Sequence, residues 1–246
     1  KRIIIEYQNV ASEISLKVRD FSFSTKGNDV LVGLRRSGKS YMMFQKIQQL
    51  INEGHKKEEI LYINFEDDRL LSFDTQDFEV LKRSYEELFP YEPIFFLDEI
   101  QNVPNWEKFA RRLADQKYKV YITGSNAKML SGEIATTLGG RFFMHNIYPY
   151  SFKEYLNASN IAIPDNLDYQ NNSEIIRTFT QYFTFGGLPE LHDVPPIEKR
   201  LWLSSLYNKI FFGDLISRYS IRNDMALKVL VRKLADSVKQ PTSFNR

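Results

Sequence analysis

Hydrophobic and polar positions change period repeatedly along the first 150 residues. From about Ile3 to Val18 the apolar residues fall at helical spacing. The run DVLVG at 29–33 is short, apolar and closed by glycine, which predicts a buried strand. GKSYMMFQKIQQLINEG (38–54) predicts a helix with Gly54 just past its end. EEILYINFED (58–67) holds a second strand, and TQDFEVLKRSYEELF (75–89) a helix that stops before Pro90. PIFFLDEIQ (93–101) predicts a strand that switches abruptly from apolar residues to acids. PNWEKFARRLADQK (104–117) opens on proline and continues as a helix. YKVYITGSN (118–126) predicts a fourth strand, and GGRFFMHNIYPYSFKEYL (139–156) a fifth strand followed by a helix. Strands alternating with helices imply an α/β fold, a mostly parallel sheet covered on both faces.

The pattern changes after about Tyr150. Helical spacing and long polar connections such as NASNIAIPDNLDYQNNS replace the buried strands. The expected organisation is an α/β core over 1–150, a helical domain over 151–217 and the start of a further domain over 218–246. In that last part DMALKVLVRKLADSV (224–238) is an amphipathic helix, and QPTSFNR opens another element.

Composition narrows the chemistry. Apolar residues make up 43 % of 246 residues, enough for a packed core. A net charge of +2 gives no global pull toward nucleic acid or membrane, which leaves only local basic patches. No Cys is present, so disulfides, thiolate-ligated zinc and a thiol nucleophile are excluded. That absence fits a reducing compartment, expected to be the cytoplasm. No apolar run reaches the roughly 18 residues of a membrane span, and no signal peptide opens the chain. The chain begins at Lys1 and stops in a segment patterned as structured, so we expect it to be part of a longer protein.

The candidate chemistry starts at Gly33. Gly33, Gly38, Lys39 and Ser40 satisfy G-x-x-x-x-G-K-[ST] between a strand and a helix. Glycines let the backbone amides of Leu34, Arg35, Arg36, Ser37 and the residues through Tyr41 converge on phosphate oxygens at a helix N-terminus. Lys39 is the residue type that reaches β- and γ-phosphates, and the Ser40 hydroxyl is placed for Mg²⁺. The second signal is the pair Asp98-Glu99, directly after Ile94–Leu97. A carboxylate at the end of a buried strand needs a cation or donors. Asp98 is the candidate metal ligand opposite Ser40, and Glu99 the candidate general base.

Two further signals have competing readings. Thr123, Ser125 and Asn126 are expected just beyond the end of the fourth strand. Ser125 or Asn126 either senses a γ-phosphate or caps the next helix. Arg141 follows two glycines in LGGRFF. It either stabilises charge in phosphoryl transfer or is a surface residue before a strand. Glu66, Asp67 and Asp68 lie at the same sheet rim or in a solvated loop. The three histidines lack metal-ligand spacing. Trp106 reads as helix-to-sheet packing, and FGGLPE (185–190) as a tight turn without assigned chemistry.

The segments GLRRSGKS, FFLDEIQNVPNWEKFARRL, VYITGSNAKMLSGEIATTLGGRF, IYPYSFKEYL and FGGLPE occur in this order. Together they resemble the AAA-superfamily ATPases of bacteria and archaea that carry a C-terminal conserved domain of unknown function. The resemblance implies a P-loop NTPase core with ATP as nucleotide, a Walker A loop at 33–40 and a Walker B strand at 94–99. It also implies a sensor-1-like residue at Ser125 or Asn126. Arg141 matches the arginine of the family's L-x-GR motif, which resembles an arginine finger acting in cis or from a neighbouring subunit of a homo-oligomer. Arg218 and Arg222 are sensor-2 candidates by location alone. Two uses of ATP follow: mechanical work on a protein or nucleic-acid partner, or a slow nucleotide-dependent switch that clamps and releases a partner. A small-molecule kinase is disfavoured, because a glutamate beside the metal aspartate suits attack by water.

Overall fold

A computed structural model describes residues 1–125, 136–162, 173–217 and 220–238, without the side chains of Ser125 and Asp214. Five strands form one parallel sheet: β1 (Asn28–Gly33), β2 (Ile60–Asn64), β3 (Ile94–Asp98), β4 (Val120–Ser125) and β5 (Phe142–Ile147). The spatial order is β2-β3-β4-β1-β5, so β4 lies between the strand that leads into the glycine loop and the strand that ends in the acids. In register, Gly33 pairs with Ser125 on one side and Ile147 on the other. All five carboxyl ends therefore share one rim.

Residue alternation divides the core into two layers. Val30, Val32, Leu97 and Ile122 face one side of the sheet, with α3 (Asp77–Glu86) and α4 (Trp106–Asp115) over them. Trp106, Phe109, Ala110 and Leu113 are the buried stripe of α4, at the i, i+3, i+4, i+7 spacing of a helix face. Phe109 stacks on Phe78 of α3 with ring centroids 4.0 Å apart. Leu31, Phe96 and Tyr121 face the other side, against Met42, Met43 and Ile47 of α2 (Lys39–Asn52). Burying each such side chain is worth about 1.5–3 kcal/mol, so both faces of the sheet are covered for an energetic reason.

Helix α1 (Arg2–Glu13) is shorter than its apolar spacing suggests. Ile14 is extended, with φ −62° and ψ 134°. Leu16, Phe21 and Phe23 then pack on the second core layer from an irregular segment rather than from a helix. The strand expected to run through Gln101 ends at Asp98, because Glu99 turns out of it with φ 50° and ψ 40°. After the sheet come α5 (Phe152–Ala158), α6 (Ser173–Phe185), α7 (Pro196–Asn208) and α8 (Asp224–Asp236), with no strand beyond β5 among the described residues. Residues 1–192 form one compact unit, which includes α5 and α6, and residues 193–246 a second. In the second unit the Lys228 ammonium lies 5.9 Å from the Phe211 ring. No helix among the described residues is long and apolar enough to cross a membrane. QPTSFNR and Arg218 lie outside the described residues.

Candidate nucleotide site

The glycine loop takes its shape from two close constraints. Gly33 has no room for a side chain: a Cβ there would lie 2.2 Å from the Ile147 carbonyl oxygen of neighbouring β5. Gly38 has φ +94°, a left-handed conformation that favours glycine, and it caps α2. Between them Arg36 is also left-handed (φ 64°), and Ser37 N–H bonds back to the Leu34 carbonyl at 3.3 Å. Alternating hands turn successive amides into one concavity at the positive end of α2. Ser37 Oγ is buried and makes no hydrogen bond among the described residues. Leu34 and Tyr41 point outward, each more than half exposed.

Lys39 does not point into solvent. It is 3 % exposed, and its Nζ donates to the carbonyls of Gly33 (3.3 Å) and Leu34 (3.1 Å). The same ammonium pairs with Glu99 Oε1 at 3.2 Å. The loop lysine and the second acid of the β3 motif thus meet directly across the rim.

Asp98 is fully buried. Tyr62 Oη donates to its Oδ2 at 2.6 Å, Thr123 Oγ1 donates to its Oδ1, and Ser40 supplies a third hydrogen bond. Burial pushes the Asp98 carboxyl above the ordinary carboxylate range; the hydroxyls of Thr123, Tyr62 and Ser40 pull it back, and nearby Glu99 raises it again. Burial likewise holds the Tyr62 hydroxyl well above its usual value, which keeps it a donor. The folded protein binds the Asp98 proton more tightly than the unfolded chain does. This carboxyl therefore favours the fold below its unfolded pKa, and that contribution is lost as pH rises through its folded value. Asp98→Asn is accordingly expected to raise the melting temperature at pH 7–8, without nucleotide or Mg²⁺. A lower melting temperature than wild type would show that the hydroxyl cage outweighs desolvation.

The donor set fits a hard divalent cation: a carboxylate and a serine hydroxyl side by side at the mouth of the glycine loop. Thr123 ties the arrangement together, donating to Asp98 while accepting from Glu99 N–H at 2.9 Å. It stands inside β4, paired with Leu31, rather than beyond the strand. Tyr62 and Gln101 also belong to the site, and sequence patterning pointed to neither. Gln101 Nε2 donates to Glu99 Oε2.

Other candidates separate. Ser125 ends β4 beside Gly33; Asn126 lies outside the described residues. Glu66 reaches the loop, 3.3 Å from Arg35. Asp67 instead binds Arg69 (2.7 Å) and Tyr7 (2.7 Å). Arg141 pairs with Asp115 at the start of β5, where its carbonyl accepts from Asn28 N–H. Ile147, the end of β5 and the partner of Gly33, lies six residues further along the strand, or roughly 20 Å. Within one chain Arg141 is at the opposite sheet rim from the loop. The histidines are dispersed: His55 with Glu59, His145 with Asp29 and His192 with Lys17.

FGGLPE, which had no assigned chemistry, touches the loop. Glu190 pairs with Arg36, and Pro189 lies 3.5 Å from where a Gly38 Cβ would stand. Arg19 joins them from the irregular segment before β1. Its Nη1 donates to Ser37 O (3.1 Å) and Tyr148 O (3.1 Å), and its Nε to Glu154 Oε1 (2.7 Å). Beside it opens a cavity of about 500 Å³, lined by residues that include Phe21, Met42, Tyr148, Tyr150 and Tyr182.

A family model described as an AAA domain matches residues 27–156. An uncharacterized protein of Methanocaldococcus jannaschii is 36 % identical over 234 residues, 94 % of this chain and 52 % of that one. An uncharacterized protein of Haemophilus influenzae is 37 % identical over 221 residues, 86 % of this chain and 52 % of that one. The chain spans about half the length of these curated relatives. AMPPCP-bound DnaA from Aquifex aeolicus aligns with a TM-score of 0.42 at 12 % identity, covering all of this chain and 74 % of that one. With more than half its length under the family model, and with the parallel sheet, glycine loop and acid-tipped strand in place, the chain belongs to the AAA-domain family.

Proposed function

We propose that the chain is an ATP-binding, Mg²⁺-dependent ATPase whose hydrolysis drives a conformational change acting on a partner. The convergence of Lys39, Asp98, Glu99 and Thr123 on the mouth of the 33–40 loop carries this reading. The loop amides and Lys39 bind the β- and γ-phosphates, and the nucleoside extends toward the cavity beside Arg19 and Tyr148. Ser40 and Asp98 hold Mg²⁺. When bound, that ion neutralises phosphate charge and fixes the leaving group. Glu99 takes a proton from the attacking water, and Ser125 or Asn126 senses the γ-phosphate.

Arg141 completes the site from a second copy of the chain, since its own loop is at the far rim. Arg141→Ala should lower turnover about 100-fold or more with nucleotide affinity kept. Phosphate-release assays beside binding titrations test this. Unchanged turnover would return Arg141 to a structural role with Asp115.

A second reading, a slow switch, is favoured by one observation. The loop is already tied to the 185–190 turn through Arg36–Glu190 and Pro189, so phosphate binding would be felt there directly. Steady-state ATPase rate and solution mass, with and without ATP, separate the two. Fast turnover by an ATP-dependent oligomer supports mechanical work. A monomer that barely turns over supports the switch.

A further inference from the structure

We propose that Gln101 is the positioning residue for the Glu99 carboxylate, holding one oxygen so that the other accepts the proton of the attacking water. This rests on reading Glu99 as the general base.

The geometry begins with the backbone. Glu99 is left-handed, which costs a non-glycine residue on the order of 1 kcal/mol and persists where surroundings determine it. Its N–H is held by Thr123 Oγ1 at 2.9 Å, and its carbonyl accepts from Asn102 N–H at 3.2 Å. That second bond closes the 3₁₀ turn Ile100–Asn102. Ile100 and Val103 are buried in the first core layer, which pins the turn. Gln101, itself buried, is thereby brought back beside Glu99, and its amide donates to Oε2.

The two oxygens have different partners. Oε2 has Gln101, which belongs to the same turn as Glu99. Oε1 has the Lys39 ammonium, which belongs to the phosphate loop. Phosphates compete for Lys39, because an ammonium among phosphate oxygens gains more than one facing a single carboxylate. Once Lys39 turns to them, Oε1 is open and Gln101 fixes the carboxylate plane. A neutral amide is suited to this, because it orients the group without cancelling the charge that makes it basic. Oε1 then accepts a water proton as the water oxygen bonds to the γ-phosphorus. The bond from that phosphorus to the bridging oxygen breaks, and ADP leaves with the electron pair. With Lys39 still in place, Oε1 is blocked, so the nucleotide-free site is held inactive.

The test compares Gln101→Ala and the isosteric Gln101→Glu in Mg²⁺-ATP turnover, with affinity for a fluorescent ATP analogue and melting temperature measured alongside. Gln101→Ala should lower kcat about 10-fold or more while affinity stays within about twofold. Gln101→Glu, which removes the donor but keeps the shape, should lose at least as much. In a Glu99→Gln background Gln101→Ala should cause no further loss, because the residue acts only through Glu99. Wild-type kcat in either variant, or a parallel fall in kcat and affinity, would overturn the assignment while leaving Glu99 as base. Wild-type turnover by Glu99→Gln alone would instead overturn the reading beneath it.

Discussion

Lys39→Ala is expected to weaken nucleotide binding beyond ready detection. Among the described residues, the ammonium is the side-chain cation placed inside the mouth of the loop, 3.1–3.3 Å from two loop carbonyls and 3.2 Å from Glu99. An ammonium that bridges phosphate oxygens makes several charge-assisted bonds worth about 1.5–3 kcal/mol each. Losing them should weaken affinity by roughly 100-fold or more, which a titration with a fluorescent ATP analogue reads directly. The substitution also leaves a buried Glu99 carboxylate without its cation. A melting temperature lowered by several degrees is expected beside the binding defect, and circular dichroism checks that the fold persists. Binding at wild-type affinity would refute the phosphate-loop assignment.

Glu99→Gln is expected to keep binding and to lose most hydrolysis. The amide preserves the shape that Thr123 and the Ile100–Asn102 turn hold, but it cannot accept a proton from water. General-base contributions of about 100- to 10,000-fold set the size of the loss in turnover. The change also removes the ion pair that occupies Lys39, so affinity should equal or exceed that of wild type. Turnover by this variant at the wild-type rate would remove Glu99 as base. Loss of binding together with turnover would make it a structural partner of Lys39.

Much of the site can be read from adjacent residues, and the remainder depends on register. Gly33, Gly38, Lys39 and Ser40 form a local pattern, and Asp98-Glu99 follows an apolar run. Both signals are confined to a few neighbouring positions, so sequence shows them without a fold. Tyr62 is different. It stands in ILYIN among residues that are apolar for the core's sake, and only the pairing of β2 with β3 brings its hydroxyl to Asp98. Gln101 reaches Glu99 because one residue is left-handed, a feature that no hydrophobic period encodes. Arg141 shows the same limit from the other side. Its motif suggests a site residue, yet parallel pairing of β5 with β1 carries it to the rim opposite the loop. Arg19 lies in an aperiodic stretch just past the helix that the spacing of 3–18 suggests; that helix ends at Glu13, and Leu16, Phe21 and Phe23 pack on the core from irregular backbone.

The helical segments extend this point. FGGLPE carries glycines and a proline, which sequence reads as a turn. Its contact with the loop through Arg36–Glu190 spans 154 positions and appears only in the fold. The turn is therefore part of the loop's environment, and it follows directly on the end of α6.

Phosphate release from ATP by the wild-type chain, with and without Mg²⁺, tests the central claim most directly. The arrangement of Lys39, Ser40, Asp98 and Glu99 predicts release that requires Mg²⁺ and disappears in Glu99→Gln. No release above background with Mg²⁺ present, or release of the same size after chelation, would contradict it.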